Sequence, residues 1–219
     1  MTEGAAANNK TNAAAWRRPL ARLALCGMIA ISLQGCIGLA AGTAVVGTMA
    51  ATDRRTFGAQ TEDKSIVLKG ESRVANMVGS AGHVNINSFN RKVLLTGEVP
   101  DEATRIGVER EIADVSGVQS IVNDVIVAPP ASYTSRSNDT LITGKVKASL
   151  VDAKDLSANN FKVVTERAIV YLMGRVTQRE GTRAAEVARG VAGVQKVVKV
   201  FEYITEDEVR EMSNTPAQQ

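Results

Sequence analysis

The chain has 219 residues, of which 44% are hydrophobic, 22% charged and only 4% aromatic, and its formal net charge is +3. This composition is ordinary for a globular protein and is enough for one medium domain or two small ones. The chain contains two cysteines and one histidine. These counts exclude a disulfide-rich scaffold and any catalytic or metal centre that needs several histidines.

The N-terminal region has the pattern of a secretory signal peptide that ends at a cysteine. Three arginines precede an apolar run over 23–33, and the run ends in Leu33-Gln34-Gly35-Cys36. A basic region, a short apolar region and a small-residue cleavage site are typical of such a signal. The motif resembles the bacterial lipobox, which implies that residues 1–35 are removed and that Cys36 is acylated. The alternatives are a short uncleaved membrane anchor and an ordinary buried cysteine.

Residues 36–62 are interpreted as an acylated N-terminus and a tether, because small residues dominate first and polar residues follow. Cys26 lies in the apolar part of the signal and would be removed with it, and Cys36 would be acylated. No free thiol would then remain for a disulfide, a redox centre or a zinc site. Ile37 stands where an aspartate retains some bacterial lipoproteins in the inner membrane. Its identity favours the outer membrane.

The rest of the chain contains an internal repeat with an offset of 76 to 77 residues. Val93–Val99 is similar in sequence to Val170–Val176, and Val115–Gln119 is similar to Val191–Gln195. Self-similarity at a fixed offset indicates two copies of one structural unit. The predicted division is a first domain over 63–127, a linker over 128–138, a second domain over 139–204 and a disordered tail over 205–219.

Each copy is predicted to fold in the order helix, strand, strand, helix, strand. The opening helices and the hairpins are predicted over 64–77, 84–99, 140–151 and 161–176. Asp63 and Asp139 are placed as N-caps of the opening helices. Because the last strand follows a helix, one strand pairing is expected to be parallel. The predicted fold class is α+β, with two αββαβ sandwiches, each a small mixed three-stranded sheet covered by two helices.

Both copies carry a glycine late in a strand, in Leu95-Thr96-Gly97 and Leu172-Met173-Gly174, and in both a helix ending in Gly-Val-Gln follows. On these motifs the repeated unit resembles the BON domain. Two such domains behind a lipobox are similar to the dual-BON outer-membrane lipoproteins of Gram-negative bacteria. The resemblance implies a lipid-anchored protein that faces the periplasm, supports envelope integrity and binds anionic phospholipid.

The first helix of the second copy carries a line of residues in addition to its core stripe. Ile142, Val146 and Leu150 recur at helical spacing and predict that stripe. The additional line and its flanking lysines form the predicted lipid-binding face, which consists of Leu141, Gly144, Lys145, Lys147, Ala148 and Val151. Exposed apolar residues beside lysines are typical of an interfacial helix; the alternative is that Leu141 and Val151 widen the core stripe. In the resembling family this helix carries the lipid contact, with an aromatic residue at the position of Leu141.

The two copies differ in charge. Residues 63–127 contain nine acidic and seven basic residues, whereas residues 139–204 contain seven acidic and eleven basic residues. The first copy shows no comparable apolar line and is interpreted as a spacer or a protein-binding face. A rival hypothesis makes both copies an interaction module for envelope assembly or division factors, such as the outer-membrane β-barrel assembly machinery. A third makes the protein a carrier of a small hydrophobic ligand.

No catalytic centre is predicted. The only histidine, His83, is interpreted as a surface or turn residue, because a catalytic triad could be built only around it and a metal site made of several histidines is excluded. Gly97 and Gly174 are interpreted as structural positions at which a side chain does not fit. No enzymatic activity, cofactor, metal ion or nucleic-acid partner is expected.

Overall fold

The computed structural model describes residues 53–214, which form two copies of an αββαβ unit and confirm the predicted fold class. The elements of the first copy are α1 Phe57–Val78, β1 His83–Phe89, β2 Lys92–Val99, α2 Glu102–Ala113 and β3 Ser120–Val127. Those of the second copy are α3 Tyr133–Asp152, a 3-10 turn Ala158–Asn160, β4 Lys162–Glu166, β5 Ile169–Val176, α4 Gln178–Arg189 and β6 Lys196–Tyr203. The signal peptide, Cys36 and the tether as far as residue 52 lie outside the described residues.

Each copy has a three-stranded mixed sheet, as predicted. In the first copy β2 is the middle strand; it pairs antiparallel with β1 and parallel with β3. In the second copy β5 has the same role between β4 and β6. One face of each sheet packs against the two helices of its own copy, and the predicted core stripe Ile142, Val146 and Leu150 lies in that core. None of the described helices is long and apolar enough to cross a membrane.

The opening helices begin seven residues earlier than predicted, so that Asp63 and Asp139 lie inside them and are not N-caps. The N-caps are Thr56 and Ser132, whose side chains accept hydrogen bonds from the backbone N–H groups of Ala59 and Ser135. The early turns of both helices lack a regular apolar stripe. A start signal based on hydrophobic periodicity therefore misses them.

Asp63 and Asp139 hold the two hairpin turns instead. Each carboxylate is buried and accepts a hydrogen bond from both backbone N–H groups of its turn, at 2.8–2.9 Å. The turn residues, all with positive φ between 50° and 65°, are Asn90, Arg91, Arg167 and Ala168. A type I′ turn needs positive φ at both central residues and usually has Asn-Gly there. The buried carboxylate explains how these turns form without that pair.

Parts of the predicted C-terminal tail and of the predicted tether belong to the folded part of the chain. The predicted tail contains a helix, α5 Glu206–Asn214, so the prediction of disorder is wrong for those residues. At the other end, Arg54 donates to both carboxylate oxygens of Glu180 at 2.6 and 2.8 Å. Arg55 binds Asp63 at 2.9 Å and lies 4.0 Å from the centre of the Phe89 ring. The end of the tether is therefore attached to both copies.

The two sheets pack against each other through the faces that do not carry helices. The centre of this contact is an apolar cluster of Phe89, Leu94, Tyr171, Met173 and Val200. The Tyr171 hydroxyl donates to Asp124 at 2.6 Å, the Asn85 amide donates to Glu166 at 2.6 Å, and the Lys162 ammonium donates to the Ser88 carbonyl at 3.2 Å. The two copies thus share one apolar interface with polar groups around it.

Candidate membrane-binding face

The six predicted lipid-binding residues all lie on the exposed side of α3. Leu141 and Val151 are 63% and 68% exposed, so neither side chain packs into the core below α3. At 100° per residue, their line lies about opposite to Ile142, Val146 and Leu150. The alternative that Leu141 and Val151 widen the core stripe is therefore wrong.

The lysines flank this apolar line on its two sides. Helical spacing places Lys145 on one side of the line and Lys147 on the other, and both are exposed. Lys147 and Val151 also line an open cavity of about 340 Å³ between α3 and β4, whose apolar wall includes Leu150 and Phe161. Asp53 and Asn159 also line this cavity, so it presents apolar groups together with charged groups of both signs beside α3.

Tyr133 belongs to the same surface and was missed by the sequence analysis. It is the first residue of α3, is 88% exposed, and lies on the side of the helix that carries Val151. The Arg136 guanidinium lies 5.7 Å from the centre of its ring. Because the helix was predicted to begin at residue 140, Tyr133 had been assigned to the linker. The signal that could have located it is Ser132, a good N-cap residue directly before it.

The first copy also has an exposed apolar line, contrary to the prediction. Phe57 and Leu68 are 85% and 68% exposed and lie three turns apart on the same side of α1. Lys64 lies between them on that side and is also exposed. Gly70 does not interrupt this helix; it is buried, and α1 continues past it to Val78.

Three further residues that the sequence indicated, His83, Gly97 and Gly174, lie in strands. His83 is half-buried at the start of β1 and is not a turn residue; burial, and the nearby Arg136 guanidinium, lower its pKa. A Cβ atom at Gly97 would overlap the carbonyl oxygen of His83, and one at Gly174 would overlap that of Asn160. Gly97 also has a φ of 115°. These contacts support a structural role for both glycines.

Comparison with known proteins agrees with this architecture. The profile of the BON domain matches residues 71–129 and 138–205. The chain is 35% identical to the outer membrane lipoprotein DolP of Haemophilus influenzae over 188 residues, which cover 85% of this chain and 97% of that protein. It is also 33% identical to a 21 kDa hemolysin of Actinobacillus pleuropneumoniae, over 69% of this chain and 79% of the hemolysin.

A solved structure aligns only weakly. A structural protein of the type III secretion system of Chlamydia trachomatis matches 69% of this chain and 99% of its own, with 11% identity and a TM-score of 0.28. That similarity is too low to support an argument about fold or function.

Proposed function

This chain belongs to the BON-domain family, and we propose that it is an outer-membrane lipoprotein that faces the periplasm and that its second BON domain binds anionic phospholipid through α3. In this proposal acylated Cys36 anchors the protein, the membrane contact supports envelope integrity, and no catalysis is involved. The observation that carries the proposal is the exposed line of Leu141 and Val151 opposite the core stripe, with Lys145 and Lys147 on its two sides.

The energetics suit weak and reversible recognition. A leucine side chain buried in the interface contributes at most about 1.5–3 kcal/mol. Each lysine close to an anionic surface adds about 1 kcal/mol, and the contribution falls within a Debye length. Such binding suffices when acyl chains already hold the domain beside the bilayer, because the second contact then forms at high effective concentration.

Substitution of Leu141 tests the face. In a soluble chain that begins after Cys36, Leu141→Glu should lower binding to anionic vesicles at every salt concentration, because it removes apolar insertion and adds repulsion. Lys145→Ala combined with Lys147→Ala should weaken binding mainly at low salt, since exposed charges are screened by salt. Vesicle co-sedimentation across a salt series, with thermal melts in parallel, measures both effects.

The chain offers a matched control. Leu68 is exposed to a similar degree as Leu141 but lies on α1 of the first, acidic copy, so Leu68→Glu should leave vesicle binding nearly unchanged. If Leu141→Glu binds vesicles like the unsubstituted protein, the lipid face is not on α3. The rival hypothesis, in which both copies bind envelope assembly proteins such as the β-barrel assembly machinery, would then lead.

The anchor is tested separately. The mass of the mature N-terminal peptide should correspond to an acylated Cys36, and stable attachment should need more than one acyl chain. An unmodified Cys36 in the membrane-extracted protein would contradict this part of the proposal.

A further inference from the structure

Three potential metal ligands lie together where the two copies meet. His83 and Glu98 are paired across β1 and β2 of the first sheet, and Glu166 ends β4 of the second sheet. Their candidate ligand atoms all lie within 4.8 Å of one another. The group exists only because the two sheets stack, so no single copy contains it.

The two carboxylates are unusual because they are buried. Glu98 is 0% exposed and Glu166 is 5% exposed. Glu98 accepts hydrogen bonds from the Arg167 guanidinium at 3.3 Å and from the backbone N–H of Ala131 at 3.2 Å. Within residues 53–214, the only hydrogen bond to Glu166 comes from the Asn85 amide. Buried carboxylates are normally paired or bound to a metal ion; Glu166 forms no salt bridge within that range, and the Arg136 guanidinium acts on it only from a distance.

The imidazole supplies a second, independent observation. The Nδ1 atom of His83 is buried and has no hydrogen-bond partner among the described residues. Most buried polar atoms have a partner, so an exception calls for an explanation such as an unseen ion. His83 and Glu166 also line an open cavity of about 270 Å³, which is bordered by Arg136 and Asp139. This cavity gives an ion a path to His83 and Glu166; Glu98 lies behind them, fully buried.

We propose that His83, Glu98 and Glu166 form a binding site for a divalent transition-metal ion, with zinc as the leading candidate, that joins the two BON domains. Imidazole favours zinc and its neighbours over magnesium or calcium, which prefer sites made of oxygen atoms. Ligand bonds of about 2.0–2.2 Å imply ligand separations of roughly 3.5 Å. The three side chains therefore need to approach one another by roughly an ångström, with water completing the coordination.

The arginines set the strength of this site. Arg167 must move away from the Glu98 oxygen that it contacts, and its side chain is 45% exposed and adjoins water. Arg136 stays near the cavity and opposes a cation, whereas Asp139 favours one. Binding is therefore weaker than in a structural zinc site with four protein ligands.

The single histidine makes a direct test possible. The full chain, without an affinity tag and in detergent micelles, is labelled with 15N in histidine only, so that every imidazole signal reports on His83. Zinc chloride should shift these signals saturably at one ion per chain, and magnesium chloride should not. Absence of a saturable zinc shift would overturn the proposal without the use of any variant.

Substitutions identify the carboxylate ligands. Glu166→Gln keeps the shape of the side chain but removes a direct ligand. Loss of a residue that only hydrogen-bonds to a metal ligand weakens metal binding by roughly 10–100-fold, so Glu166→Gln should weaken zinc binding by at least that factor. The matched control is Glu71→Gln, at an exposed carboxylate on α1, which should bind zinc like the unsubstituted chain. At the same zinc concentration, the melting temperature of Glu166→Gln should rise less than that of the unsubstituted chain. If Glu166→Gln melts normally and binds zinc with unchanged affinity, the site as assigned is wrong.

Discussion

Single buried carboxylates organise both hairpins. Asp63 and Asp139 occupy matched positions in the repeat, and each joins its opening helix to the turn between the first two strands. Arg91, Arg167 and Ala168, which would not usually adopt positive φ, are held there in compact turns together with Asn90, which tolerates it. A carboxylate that accepts two backbone N–H groups makes charge-assisted hydrogen bonds, which are stronger than bonds between neutral groups.

Asp139→Ala is expected to lower the free energy of unfolding by about 2–4 kcal/mol, because two buried N–H groups lose their acceptor. Replacement of Arg167-Ala168 by Asn-Gly, which favours the same turn, should recover part of this loss. Urea unfolding of the single, turn and combined variants measures the coupling. Equal costs of Asp139→Ala in both backgrounds would show that the carboxylate does not act through the turn.

The strand glycines lead to a second residue-level prediction. Gly97→Ala and Gly174→Ala should each destabilise the protein by about 1–3 kcal/mol, because the added Cβ meets a backbone carbonyl that cannot move aside easily. Gly144 is the control, since nothing lies within 4 Å of a Cβ there. Gly144→Ala in exposed α3 should stabilise by roughly 0.5–1 kcal/mol. Denaturant melts decide the point, and unchanged stability in Gly97→Ala and Gly174→Ala would contradict their structural role.

At the level of elements, α3 is longer than its apolar pattern suggests, and its additional turns extend the candidate membrane face. The strands, the second helices and the core stripe of α3 follow from alternation and helical spacing, which report directly on burial. The first two turns of α1 and α3 were not predictable in that way. They begin at caps and expose Phe57 and Tyr133, so no buried stripe marks them.

The contact between the two sheets could not be predicted from sequence patterns either. Asn85, Glu98 and Glu166 occupy strand positions where polar residues normally indicate a face toward water. Here the second sheet covers them. For the same reason His83 looked like a surface residue, although a neighbouring copy, distant in sequence, buries its Nδ1 atom.

Tyr133 is expected to contribute to vesicle binding. Its exposed ring at the start of α3 supplies the aromatic group that Leu141 lacks, and such rings favour the membrane interface. Tyr133→Ala should weaken binding to anionic vesicles by about 1 kcal/mol, roughly fivefold, whereas Tyr133→Phe should retain most of it. Both variants should melt like the unsubstituted protein. An unchanged affinity of Tyr133→Ala would exclude the ring from the membrane face.

For the whole molecule, the contact between the two sheets buries the hydroxyl group of Tyr171, and this burial makes the free energy of unfolding depend on pH in the alkaline range. Burial, together with the hydrogen bond to Asp124, raises the pKa of Tyr171 above its ordinary value. In the unfolded chain a tyrosine ionises near pH 10. Above that pH the unfolded state loses a proton that the folded state keeps, so the free energy of unfolding falls as pH rises.

Tyr171→Phe should therefore cost about 1–3 kcal/mol at pH 7, because Asp124 loses its donor. The difference from the unsubstituted protein should shrink above pH 10, by up to about 1.4 kcal/mol per pH unit. Urea unfolding at pH 7, 10 and 11 measures this change, and Tyr133→Phe shows whether loss of any tyrosine hydroxyl has the same effect. A difference that stays constant to pH 11 would mean that Tyr171 is not protected by the contact between the sheets.

The contacts between the sheets also carry information about ancestry. The hairpin registers make Phe89 equivalent to Glu166, and Asn85 is therefore equivalent to Lys162. The bond from Asn85 to Glu166 has a counterpart in the bond from Lys162 to Ser88, next to Phe89. Contacts across a two-fold axis between identical subunits are reciprocal, and this pair of contacts approximates that arrangement to within one residue. Duplication and fusion of the gene for a symmetric dimer would produce such a chain, and fusion would free one copy to become basic while the other became acidic.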